Sequence, residues 1–114
     1  MAAQNRQVDA PGALLDETLL ERAAEVFKSL AHPARLRIAE LLATGPLPVN
    51  VISARLGIAP NLASTYLNRM KLNAILRSRK SGRTVVYEIN DSDLASCIAR
   101  VLAFTIRRTP HEIS

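Results

Sequence analysis

The stretch VNVISARLGIAPNLASTYLNRM, residues 49–70, decides the fold. Its first part places apolar residues at the spacing of a short helix, and Gly57 stands where a left-handed helix end is expected. Residues 57–59 read as a turn, and Pro60 suits the first turn of the next helix. Two short helices joined by a tight turn that contains glycine predict a helix-turn-helix motif.

The second helix of this motif carries a stripe of short polar side chains. They recur at i, i+3, i+4 and i+7, which places them on one helix face: Asn61, Ser64, Thr65 and Asn68. A helix that only faced water would more commonly carry Glu and Lys there. Amides and hydroxyls without an acid suit the hydrogen-bond patterns of base edges in a major groove. These four residues are therefore the predicted base-reading residues.

The flanking sequence predicts further helices and a hairpin. Asp16 is a good helix N-cap, and Pro33 opens a second helix that ends before residues 45–46. Residues 75–80 and 84–89 read as strands, with the Ser81-Gly82 pair as their turn. Asp91 or one of its neighbours is expected to cap a last helix. The order α-α-α-α-β-β-α is mainly helical with a small β component, which is the order of a winged helix-turn-helix.

The predicted domain organisation is simple. Residues 1–13 are expected to be a disordered N-terminal tail, 14–108 a single DNA-binding and dimerisation domain, and 109–114 a C-terminal tail. The chain of 114 residues is too short for two cores.

The distribution of charge points to a polyanion. The net charge is +5, and no Asp or Glu occurs between Leu41 and Tyr87. The predicted phosphate contacts at the end of the recognition helix and on the wing are Arg69, Lys71, Arg77, Arg79, Lys80 and Arg83. The alternative is that these cations lie on an edge strand and keep it from pairing with another chain, as charged side chains commonly do.

Several classes of protein are disfavoured. A single cysteine excludes an intrachain disulfide, and no apolar run approaches the roughly 20 residues that span a bilayer. The N-terminus lacks the apolar core of a signal peptide, so we expect a cytoplasmic protein without membrane contact. No glycine-rich phosphate loop is present, and the two histidines and one cysteine have no evident catalytic partner, so we expect no enzyme and no cofactor.

The first and last predicted helices have apolar faces larger than a small core can cover. We therefore expect a homodimer through these two helices. A two-fold axis relating the recognition helices would match an inverted repeat with half-sites roughly 10 base pairs apart.

The stretch FKSLAHPARLRI, residues 27–38, resembles the opening of ArsR/SmtB-type repressors, and GRTVVY, residues 82–87, resembles their wing. The likeness covers roughly residues 19–105. It implies a homodimeric winged-helix repressor that leaves its operator when an inducer, often a metal ion, binds. It also places Asn61, Ser64 and Thr65 at the base-reading positions of the family.

The sequence departs from this family at its metal sites. The third helix lacks the cysteine pair that many members carry, and Asp93 on the last helix lacks the matching histidines. We therefore predict no metal site, and the effector stays unknown. Relatives usually have glycine where Ala74 stands, so Asn73 is expected to take the left-handed conformation instead.

Cys97 lies on the apolar stripe of the last helix. Its simplest interpretation is a small buried hydrophobic residue. The alternative is a redox switch in which Cys97 forms a disulfide with Cys97 of the second subunit at the dimer interface.

For the chain as a whole, the alternative to operator binding is a winged-helix module that binds protein.

Overall fold

The computed structural model describes residues 14–108, so the tails predicted at 1–13 and 109–114 lie outside it. Within these residues five helices and three strands follow one another: α1 Glu17–Leu30, α2 Pro33–Leu42, β1 Leu47–Pro48, α3 Val49–Leu56, α4 Pro60–Leu72, β2 Leu76–Ser81, β3 Thr84–Ile89 and α5 Ser92–Arg107. This is the winged helix-turn-helix expected from the sequence, with one additional strand.

Local capping explains where the outer helices begin. The carboxylate of Asp16 accepts a hydrogen bond from the backbone N–H of Leu19 at 2.9 Å, which caps α1. His32 Nδ1 accepts one from Ala34 N–H at 3.1 Å and caps α2 in the same way. Asp91 caps α5 by accepting from the N–H groups of Asp93 and Leu94. The predicted caps at Asp16 and Asp91 are confirmed.

The helix-turn-helix consists of α3, a short turn and α4. Gly57 ends α3 with φ +68°, which is the left-handed conformation predicted for it. Pro60 is the first residue of α4, where its missing N–H costs nothing.

A three-stranded antiparallel sheet, in the order β1-β3-β2, forms the wing. The strand that was not predicted, β1, pairs Leu47 with Tyr87 and Pro48 with Val86. A strand of two residues, one of them proline, is too short to show the alternation of apolar and polar residues from which strands are predicted. The predicted turn was shifted: Ser81 pairs with Thr84 inside the ladder, and the turn is Gly82-Arg83. Gly82 has φ +64° at the first turn position, where type II′ hairpins take glycine.

The core lies between α2, α3, α4, the sheet and α5. Its largest fully buried side chains are Ile38, Ile52, Leu67, Met70, Ile75 and Leu76. The helix α1 contributes partly buried residues, among them Val26 and Leu30, and therefore lies at the margin of this core. The core fixes α4 against the wing and leaves the polar stripe of α4 outside.

The end of α4 differs from the prediction. Asn73 has φ −91°, and the left-handed residue is Ala74 with φ +61°. The N–H of Ile75 donates to the carbonyl of Met70 and that of Ala74 to Lys71, both at 3.0 Å, which is the Schellman pairing. This pairing places the left-handed residue one position after Asn73. Alanine therefore stands where glycine would be unstrained.

We expect Ala74→Gly to stabilise the protein by about 0.5–1 kcal/mol. The left-handed conformation costs alanine about 1–2 kcal/mol, and the added freedom of glycine in the unfolded chain offsets about 0.4–1 kcal/mol of the gain. Urea unfolding followed by circular dichroism measures the difference. Ala43→Gly is the control, because Ala43 is also exposed and ends a helix, but with φ −62°. Equal effects of the two substitutions would contradict the assignment of strain to Ala74.

Candidate nucleic-acid interface

The predicted base-reading residues share one face of α4. Asn61, Thr65 and Asn68 are exposed, and Ser64 is half-buried at the edge of the stripe. The Thr65 hydroxyl donates to the Asn61 carbonyl at 3.0 Å, so its methyl group and its oxygen lone pairs are what it can offer to a ligand. The exposed amide of Asn68 has both a donor side and an acceptor side to offer.

Cationic side chains lie on both sides of this stripe. Lys71 Nζ donates to Ser78 Oγ at 2.7 Å and so connects the end of α4 to the strand β2. Arg69 lies on the other side of α4, next to α1 and α2, where it lines a small cavity with Arg35. The two predicted phosphate contacts on α4 thus stand at opposite edges of the stripe.

The arginines of the wing have a partner that the sequence analysis missed. Glu88 Oε1 lies 3.0 Å from Arg77 Nε and 3.6 Å from Arg79 Nε. The Glu88 side chain is 20% exposed, whereas both arginines are more than half exposed. Arg77 and Arg79 therefore have an acidic partner within the chain. Their positive charge is partly neutralised on the outer face of the sheet.

The tip of the wing has a different electrostatic environment. Lys80 and Arg83 are exposed next to the Gly82 turn. Among the residues that the structure describes, neither forms an ion pair. The tip is thus the part of the wing where positive charge is directed entirely to solvent.

A third surface is apolar and lies between α1 and α5. A groove of about 430 Å³ is lined by Val26, Phe27, Leu30, Ala31, Leu36, Leu94, Cys97, Ile98 and Val101. Phe27 is 72% exposed and Val101 57%, and Phe104, three residues after Val101, extends the apolar face of α5. Cys97 is exposed in this groove, so its interpretation as a buried residue is wrong for the single chain.

The comparisons with known proteins agree with this geometry. The chain is 34% identical over 84 residues to the HTH-type transcriptional regulator Rv0081 of Mycobacterium tuberculosis, spanning 73% of this chain and 74% of that protein. It is 30% identical over 98 residues to the transcriptional repressor SmtB homolog of Synechocystis, spanning 86% of this chain and 73% of the relative. No family model matches the chain.

A solved structure extends the likeness to the fold. The NMR structure of the homodimeric winged helix-turn-helix DNA-binding domain Mb0332 of Mycobacterium bovis, a possible ArsR-family regulator, superposes with a TM-score of 0.78 at 30% identity. The match covers 88% of this chain and 94% of that domain. The chain belongs to the ArsR/SmtB family. It is therefore a winged helix-turn-helix transcriptional regulator, as its sequence led us to expect.

Possible metal ligands do not cluster in the part of the chain that the structure describes. Within residues 14–108, no three or more His, Cys, Asp or Glu side chains converge in a way that could hold a metal ion. His111 lies outside these residues.

None of the described helices is long and apolar enough to cross a lipid bilayer.

Three residues were not singled out from the sequence: Glu88, which pairs with the wing arginines, and Ser29 and Arg35, which line the cavity next to Arg69. Glu88 could have been found from the hairpin register, because a turn at residues 82–83 places it opposite Arg77. Ser29 and Arg35 carry no comparable signal, since a cavity between three helices depends on how those helices pack.

Proposed function

We propose that this regulator is a dimeric repressor that binds an inverted-repeat operator and is released by an effector. In this proposal Asn61, Ser64, Thr65 and Asn68 read base edges. The positively charged residues at the stripe's edges and on the wing contact phosphates. The apolar groove between α1 and α5 meets the same groove of a second copy.

The arrangement of α4 and the wing supports the proposal most directly. An acid-free polar stripe is exposed on α4, and the Lys71–Ser78 contact joins its end to the cationic wing. A helix and a wing in this arrangement can contact a major groove and the neighbouring backbone together. The apolar groove supports the dimer, because an exposed patch with Phe27 and Val101 marks an interaction surface.

The test is binding of the purified full chain to fragments of its own upstream DNA. Fluorescence anisotropy would be recorded over a series of salt concentrations, with a scrambled fragment of equal length as control. We expect specific binding to an inverted repeat, with an affinity that falls steeply as salt rises. Weak binding that is equal on both fragments would contradict the proposal.

The wing variants sharpen this test. The double variant Lys80→Gln/Arg83→Gln should reduce the slope of log affinity against log salt by about 0.9 for each phosphate that is no longer neutralised. The double variant Arg77→Gln/Arg79→Gln should reduce it less, because Glu88 already holds part of that charge. Arg100→Gln, an exposed cation on α5, is the matched control and should leave the slope unchanged.

We expect Glu88→Gln to strengthen DNA binding roughly fivefold. A carboxylate between two arginines competes with phosphate for them, and exposed ion pairs of this kind contribute up to about 1 kcal/mol. The glutamine keeps the shape of the side chain, so the fold should be retained. Anisotropy titrations compare the variant with Glu40→Gln, which removes an acid from α2. If Glu88→Gln gains no more affinity than Glu40→Gln, the wing arginines do not contact phosphate.

The alternative that the sequence left open, a winged-helix module that binds protein, is not favoured, because the relatives are transcriptional regulators. Dimerisation without specific DNA binding would be the result that supports it. The redox role of Cys97 stays a prediction, and comparing oligomeric state and DNA affinity with and without reductant tests it.

A further inference from the structure

A small polar cavity lies where α1, α2 and α4 meet, away from the apolar groove. Its volume is about 180 Å³, and it is lined by Glu25, Lys28, Ser29, Arg35, Arg69 and Asn73. The three residues from α1 recur at i, i+3 and i+4, so they share a helix side that differs from the side of Phe27 and Leu30.

Two polar groups of this cavity are buried without a partner. Ser29 is 3% exposed, and its Oγ makes no hydrogen bond within residues 14–108. The Nε of Arg35 is likewise buried and without a partner there. Since the great majority of buried polar groups in proteins are hydrogen-bonded, two such donors in one cavity indicate a bound group that accepts hydrogen bonds.

The charges around the cavity favour an anion. Lys28, Arg35 and Arg69 contribute three positive charges against the single carboxylate of Glu25. Glu25 Oε1 lies 3.7 Å from Lys28 Nζ, so this acid already has a partner. Among the described residues, neither arginine forms an ion pair with a carboxylate.

We propose that this cavity binds an oxyanion of the phosphate type. Guanidinium groups bind such oxygens in pairs, and the Ser29 hydroxyl and the Asn73 amide can each donate one further hydrogen bond. The volume is roughly ten times what one water molecule requires, which leaves room for a tetrahedral anion. Because Arg69 also borders the polar stripe of α4, the oxyanion is either a DNA backbone phosphate or a free phosphate group.

The first experiment titrates the full chain with inorganic phosphate against chloride at constant ionic strength, followed by two-dimensional NMR. We expect saturable shifts at Ser29, Arg35 and Arg69. Ser29→Ala and Arg69→Gln should each weaken phosphate binding about tenfold, because each removes a hydrogen bond to a charged group. Arg100→Gln on α5 is the control for net charge. Ser29→Ala removes a hydroxyl that has no hydrogen-bond partner in the described residues, so it should leave the fold intact, and unfolding curves test this.

The second experiment distinguishes the two sources and measures DNA affinity of the same variants. Phosphate binding that persists in the DNA complex assigns the cavity to a free phosphate group. A loss of DNA affinity in both Ser29→Ala and Arg69→Gln, beyond that of Arg100→Gln, assigns it to the DNA backbone.

A third pattern would overturn the proposal. Phosphate shifts that do not saturate, or that are equal in the wild type and both variants, together with DNA affinities equal to the control, would mean that the cavity holds water. The phosphate titration requires no DNA. Saturable shifts that both variants weaken would therefore support the proposal even if operator binding fails.

Discussion

Phe27→Glu is expected to convert the dimer to a monomer and to lower operator affinity by about 100-fold or more. The Phe27 side chain is 72% exposed in the single chain and borders the groove that we assign to the second copy. A carboxylate buried there in both copies would lose its hydration without gaining a partner. Two linked recognition helices bind with an avidity that can exceed that of one by about 10²–10⁴, and the monomer loses this gain.

Sedimentation equilibrium measures the oligomeric state, and anisotropy measures the affinity for the operator. Phe27→Leu is the matched control, because it keeps an apolar side chain at the same exposed position. Circular dichroism should show that both variants are folded, since Phe27 contributes little to the core of the single chain. A dimeric Phe27→Glu variant would place the dimer interface elsewhere and leave the groove to another partner.

The sequence was most informative where one local rule determines the structure. Gly57 and Pro60 mark the turn of the helix-turn-helix, because a left-handed helix end and a first helical turn each favour one residue type. The capping side chains of Asp16 and Asp91 act within three residues of their own position. Such contacts do not depend on the rest of the fold, so they could be predicted.

The misplaced features depend on register or on tertiary packing. Moving the hairpin turn from residues 81–82 to 82–83 changes which residues face each other, and with this change Arg77 pairs with Glu88. The left-handed residue at the end of α4 is Ala74 because the Schellman pairing of Ile75 with Met70 fixes its place. A one-residue error at the turn thus hid the contact of Arg77 and Arg79 with Glu88.

The candidate site was predictable in part, for the same reason. The stripe on α4 follows from helical periodicity, and the structure places its residues on one face. The exposure of Cys97 did not follow, because it depends on how much of the apolar face of α5 the core covers. The cavity around Ser29 and Arg35 requires three helices to be packed before it exists.

Asn68→Asp is expected to lower DNA affinity by about 100-fold or more on every sequence. The two side chains have nearly the same shape, and Asn68 is exposed, so the fold should be unaffected. The substitution places a carboxylate on the face of α4 that we propose meets the DNA, once in each subunit. Phosphates would repel this carboxylate there, and the amide donor is removed. One good amide contact to a base discriminates by about 1–3 kcal/mol, and the added charge increases the effect.

Two further variants separate charge from base reading. Ser96→Asp adds the same charge on the exposed face of α5 and should change affinity little. Asn68→Ala removes the amide without adding charge, so it should weaken operator binding about 10- to 100-fold and leave binding to a scrambled fragment nearly unchanged. Anisotropy titrations of the three variants on both fragments give the six comparisons. If Asn68→Ala weakens both fragments equally, Asn68 contacts the backbone, and the base-reading stripe is limited to the N-terminal half of α4.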